Sequence, residues 1–198
     1  GDTGRIFAIA ASPGTLLATY SIVYGSTHAN AGQVVTNTDF RDIAIGDGNL
    51  FIADTGDETL ARDGTAAVKP VIYQVQEKFD LSITELVTTK IFEVSFSDNK
   101  QHEVAAIAFD PVDGDLHLFT KETTAITGTD PHYCYVYKIT SAEMLNDELN
   151  GVVSVTAKKD VTIGPINWTT WINAGGISAA DISSDGRMII LRDTAEYN

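Results

Sequence analysis

A single cysteine in 198 residues, Cys134, excludes an internal disulfide, so burial has to hold this chain together. Cys134 sits among Tyr133, Tyr135 and Tyr137 in a strand-like run, the setting of a packed, inert thiol and not of a nucleophile. Basic residues are scarce, 13 against 27 acidic ones, and the formal charge of −14 repels phosphate backbones and anionic head groups. Neither nucleic acid nor membrane insertion is expected of such a surface. No apolar run approaches the ~18 residues that span a bilayer, and no basic segment followed by an apolar one opens the chain. There is no Gly-x-Ser-x-Gly elbow, phosphate loop or dinucleotide fingerprint, and His28, His102, His117 and His132 lack the spacing of a zinc site.

What the chain has is strand signal. With 43% apolar residues and a mean hydropathy of +0.00, the composition is that of one folded domain. Short runs rich in Val, Ile, Thr, Tyr and Phe alternate with Asp-Gly, Pro-Gly and Gly-Gly turns. Helical character is confined to 141–149, with Ser141 as its expected N-cap.

An internal repeat organises these strands. Ile43 to Ile52, Ile107 to Leu118 and Ala180 to Ile190 each read as strand, Asp-Gly turn, strand, with Gly48, Gly114 and Gly186 at the turns. After the first two copies a second hairpin follows, Val71 to Phe96 and Tyr135 to Ile163. Two hairpins make the four-stranded blade of a β-propeller, so the expected fold is all-β. The expected boundaries are 1–24 for the second half of a blade, 38–96 and 102–163 for two full blades, and 176–198 for the first half of another. Propellers close with about four or more blades. The expectation is therefore a fragment of a larger propeller, or a chain completed by a partner or by further blades of the same protein. A β-sandwich with chance internal similarity is the alternative.

Asp39-Phe40-Arg41-Asp42-Ile43-Ala44, then Leu50-Phe51-Ile52-Ala53-Asp54-Thr55-Gly56-Asp57-Glu58 with Arg62 beyond, carries a family likeness. It resembles an uncharacterised group of secreted bacterial-type propellers whose blades hold an Asp-Trp-Glu-Asp-Ile-Ala strand and an Ala-Asp-Ile-Gly-Asp-Asn turn. More distantly, the chain is similar to six-bladed YWTD and NHL propellers. The resemblance implies a propeller fold and an extracellular, secreted setting, and implies no activity. Phe40, Arg41 and Glu58 depart from the Trp, Glu and Asn of the pattern, which places any acidic site of the family in doubt.

In a propeller, the starts of the first strands and the turns after the second strands share one face, around the channel mouth. That geometry nominates Asp39, Arg41, Asp42, His102, Glu103, Lys121 and Arg192 as ligand-binding residues. Asp54, Asp57 and Glu58, spaced around Gly56, are candidate oxygen ligands for calcium, although the full calcium-loop pattern is missing; the competing reading is that Asp54 and Asp57 bond the turn's own amides and pair with Arg62. His102 and Glu103 are adjacent in a strand, point to opposite faces and so do not form a catalytic pair. Asn167-Trp168-Thr169 is a glycosylation sequon, and Trp168 and Trp171 either stack on a sugar or partner or fill a gap between blades. Two functions follow: a noncatalytic extracellular binding or scaffold module for a protein or glycan, or a calcium-dependent, lactonase-like hydrolase with its site at the channel mouth.

Overall fold

The computed structural model describes residues 4–56, 69–77, 80–120, 134–146, 149–163 and 177–192. The protein is all-β, as its alternating hydrophobic pattern requires. The strands are β1 (Arg5–Ile9), β2 (Leu16–Val23), β3 (Phe40–Gly46), β4 (Asn49–Asp54), β5 (Val71–Gln76), β6 (Glu85–Phe96), β7 (Val104–Phe109), β8 (Leu116–Thr120), β9 (Cys134–Ile139), β10 (Val152–Ile163), β11 (Ile177–Ile182) and β12 (Met188–Arg192). One short helix, α1 (Ser141–Met144), precedes β10. Its N-cap is Thr140, one residue earlier than the sequence pattern suggests. The Thr140 side chain accepts from the Glu143 amide while the Glu143 carboxylate accepts from Thr140, a reciprocal pair that Ser141 has no Glu at the right offset to form.

Two antiparallel four-stranded meanders dominate, β3-β4-β5-β6 and β7-β8-β9-β10. The β1–β2 hairpin flanks the first and the β11–β12 hairpin flanks the second. Within one ten-stranded sheet the path runs β3-β4-β5-β6-β10-β9-β8-β7, and because β3 also lies against β7 the sheet nearly closes on itself.

The last strand of each meander links it to its neighbour. β6 and β10 have twelve residues each, long enough for two partners. The first half of β10, Val152 to Ala157, pairs in parallel with β6, and the second half turns to β9. β6 repeats the device: Glu85 to Val87 pair in parallel with β2 before the strand joins β5. Where each strand changes partner its register slips, leaving Thr89 and Asp160 as extra residues in the manner of a β-bulge.

Side-chain alternation feeds a separate apolar layer on each side of each meander. Leu50 and Ile52 of β4 join Tyr20, Ile22, Tyr73 and Ile91 between the first hairpin and the first meander. Phe51 and Ala53 face the other way and meet Phe92, Phe109, Leu118 and Tyr137 between the two meanders. Phe119 and Val136 then pack on Ile177 and Ile182 of the last hairpin. Packed on both faces, β7 and β8 are buried along their whole length. β3 approaches β7 closely because Gly46 has no side chain; a Cβ there would enter the Phe109 ring, which stacks on Phe51.

Three hairpin turns share the Asp-Gly signature but not one geometry. Asp47 and Gly48 both take positive φ, 48° and 68°, which gives the tight two-residue connection of β3 and β4. At the other two turns only Gly114 and Gly186 have positive φ, and the loops are longer, closed by Asp110 N–H to the Asp115 carbonyl and by Ser183 N–H to the Arg187 carbonyl.

Candidate functional site at the ends of β3, β4 and β7

Antiparallel pairing puts the starts of β3 and β7 beside the end of β4, and charged side chains collect there. The Arg41 guanidinium lies 2.6 Å from Asp39 and 3.3 Å from Glu103, a carboxylate only 1% exposed. Gly56 makes the space: a Cβ at this position would collide with both the Asp39 carboxylate and the Arg41 guanidinium. Its amide also donates to the Asp39 carbonyl, and Thr55 donates its hydroxyl to the Val104 carbonyl at 2.9 Å, tying the end of β4 to the start of β7.

Asp54 stands behind this cluster, buried, with its carboxylate accepting from the amides of Thr38 and Asp39 at 2.8 to 3.2 Å. It closes the turn into β3, where the described amides it satisfies, those of Thr38 and Asp39, lie just before that strand. Asp42 has a similar role between the meanders: one oxygen accepts from the Ile107 amide of β7 at 2.9 Å, the other from its own Ile43 amide. Burial pushes the Asp42 carboxyl above its ordinary pKa, the two amides oppose that shift, and the negative charge of Asp181 adds to it.

His102 belongs to a second group. Its Nε2 is hydrogen-bonded to Asp98 at 3.1 Å and to the Tyr137 hydroxyl at 2.7 Å, and the Tyr137 hydroxyl also donates to Asp98 at 2.7 Å. Phe96 and Tyr135 meet the imidazole edge-on, so both His102 and Tyr137 are shut away from solvent. Partial burial raises the Asp98 carboxyl, but the Tyr137 hydroxyl, the Lys100 amide and His102 outweigh it and hold Asp98 below its usual range. This carboxylate–imidazole–phenol cluster ties the β6–β7 connection to β9.

Of the sequence-nominated residues, the fold brings Asp39, Arg41 and Glu103 into one ion cluster with Asp54 behind it. It directs Asp42 to the β3–β7 seam and His102 to Asp98 and Tyr137. His102 and Glu103 take different partners, but both lie just before β7 and not within a strand, so strand alternation is not what separates them. Lys121, Asp57, Glu58, Arg62, Asn167, Trp168 and Trp171 lie outside the described residues, as does the side chain of Arg192. Among the described residues, no three His, Cys, Asp or Glu side chains are grouped as a metal ion would need. The partners that sequence reading missed are Asp98, Tyr137 and Gly56. Asp98 lies four residues before His102, a spacing that carries no message in a loop, and Tyr137 reads as core.

His117 is buried on β8 with its ring nitrogens 4.0 Å from Asp110 and from Asp160. Burial holds its pKa below the ordinary value, against the pull of those two carboxylates.

The chain matches no family model and no curated protein.

Proposed function

We propose that the chain is a noncatalytic binding or scaffold module on a β-propeller plan, working outside the cell and presenting its strand ends and exposed edges to a protein or glycan. The observation that carries this reading is the employment of the charged residues. Asp54, Asp42 and His102 satisfy backbone amides and neighbouring side chains, and Arg41 pairs with Asp39 and Glu103, all of which is the work of a scaffold. The propeller plan is supported by the four-stranded unit repeated twice and by the side-by-side placement of β3, β7 and β11, each the first strand of its group. The parallel β6–β10 link departs from a propeller of separate blades and would tie neighbouring blades at their outer strands.

The test is a glycan-array and calorimetric screen of the folded chain, with and without calcium chelation, beside a panel of chromogenic lactones and esters. Binding that survives chelation, with no turnover, supports the module. Calcium-dependent hydrolysis would replace it with the hydrolase reading, in which Asp54, Asp57 and Glu58 supply the metal ligands.

A further inference from the structure

The apolar layer between the two meanders does not run the full length of the strands. At the end opposite the Arg41 cluster it gives way to a cavity of about 480 Å³, within the ~300–1,000 Å³ range of small-molecule sites. The β3–β4 turn, the β7–β8 turn and the end of α1 surround it. Its apolar wall is formed by Phe51, Phe92, Phe109 and Met144, all of them core residues.

The polar wall comes from one cross-strand row. Phe51 on β4 pairs with Gln74 on β5, and Gln74 pairs with Lys90 on β6, so the three side chains share the face that looks toward the second meander. Farther along that face the same strands carry Ile72, Phe92 and Val94, which are buried. Gln74 and Lys90 interrupt this apolar face, and the fold leaves both with hydrogen-bonding capacity to spare. The Gln74 side-chain amide has no partner among the described residues. The Lys90 ammonium spends one of its three donors on the Met144 carbonyl, at 2.8 Å, and meets no carboxylate among the described residues. Asn49 donates to the Asp47 carbonyl through Nδ2, which leaves its Oδ1 as an acceptor. The exposed Asp47 and Asp113 stand at the rim.

These groups select the ligand. Gln74 donates and accepts, Lys90 only donates, and the two rim carboxylates only accept. Hydroxyl groups, which do both, match that mixture. A carboxylate or phosphate matches the donors alone and is opposed by the rim and by a chain charge of −14. A hydrocarbon would desolvate the amide and the ammonium without pairing them. A pyranose supplies hydroxyls around its edge and a C–H face for the phenylalanine wall. We propose that this cavity binds a neutral sugar residue, held by Gln74, Lys90 and Asn49, an assignment that rests on the binding-module reading and narrows its partner to a glycan.

The test is an NMR titration of the isotopically labelled chain with millimolar methyl glycosides of glucose, galactose, mannose and N-acetylglucosamine, with glucuronate and octanoate beside them. At least one neutral glycoside is expected to shift the amides of Asn49, Gln74, Lys90 and Met144 saturably. Gln74→Ala, which removes no described protein contact, should weaken that binding about tenfold with the circular dichroism spectrum unchanged. Should this variant misfold, Gln74→Glu keeps the shape, removes the amide donor and should weaken binding likewise. The proposal is overturned if no neutral glycoside shifts these amides, if glucuronate or octanoate binds there more tightly, or if both Gln74 variants bind as the parent does. The binding-module reading stands or falls separately: a glycoside bound elsewhere on the chain removes the cavity assignment alone, whereas turnover of a bound glycoside removes the noncatalytic module as well.

Discussion

The two complete meanders and the two hairpins beside them are built from the same repeat, yet their apolar residues meet different fates. Ile52 on β4 and Ile190 on β12 occupy one repeat position, and the first is buried between two sheets while the second faces solvent in part. The difference teaches that the strand–turn–strand pattern makes a hairpin but not a core; the core comes from having a second hairpin in register and a sheet on each side. A meander has both. A hairpin alone is marginal in water and depends on what it packs against.

The sharpest way to break the comparison is to truncate the matched pair. Ile52→Ala should cost about 2–5 kcal/mol, the transfer of the lost methyls plus the cavity they leave, whereas Ile190→Ala in dilute chain should cost under about 1 kcal/mol. Reversible denaturant unfolding of both variants measures this, and equal costs would mean that β12 is as well covered as β4. Next comes the ion cluster that joins β3 to β7. Arg41→Met removes the cation facing a carboxylate that is almost wholly buried, and about 2–3 kcal/mol should be lost, a figure reduced for the partial exposure of Arg41 itself. Arg41→Lys should recover only part of it, because an ammonium cannot reach Asp39 and Glu103 with the same fork.

The seam between the meanders gives a smaller effect. Asp42→Ala leaves the Ile107 amide without its carboxylate and should cost about 1–3 kcal/mol, with faster hydrogen exchange at Ile107 as the local sign. Asp181→Ala on β11 is expected to change stability less, since its carboxylate accepts from its own Ile182 amide and, unlike half-buried Asp42, Asp181 is exposed. Equal effects would erase the distinction between meander and hairpin on this count.

The smallest expected effect is a slope with pH. Folding depresses the His117 pKa, so the unfolded chain binds the proton more readily. Stability is then full above the ordinary histidine value near 6.5 and falls as pH drops through that value toward the folded one. In His117→Gln that part of the slope should vanish, and denaturant midpoints measured across this window for both proteins decide it. Asp42 acts in the opposite direction: its raised folded pKa makes the protonated form favourable on folding, a contribution present at low pH and lost as pH rises through the folded value.

Much of this architecture is legible in the residues. The hairpin turns at Gly14, Gly48, Gly114 and Gly186 carry the glycines that positive φ demands, and the strands between them follow from β-branched and aromatic runs. The second-hairpin strand 152–163 is legible in its first half, where apolar residues alternate at Val153, Val155 and Ala157, and the alternation stops well before its end. The candidate site was legible only as a collection. Charges near strand ends nominate Asp39, Arg41 and Glu103, but nothing in their spacing separates them from Asp42 and His102, which the fold sends elsewhere.

Local chemistry therefore determined the all-β class, the turns, the repeat and the charge of the surface, because each depends on neighbours a few residues away. Tertiary structure alone decided that Asp42 would meet Ile107, 65 residues on, that Tyr137 would donate to Asp98 across 39 residues, and that β10 would leave β9 to run parallel with β6. Those partnerships depend on which sheet lies beside which, and on the register that packing selects from many that hydrogen bonding alone would allow. No local pattern encodes that choice; the burial of the apolar layers between the sheets makes it.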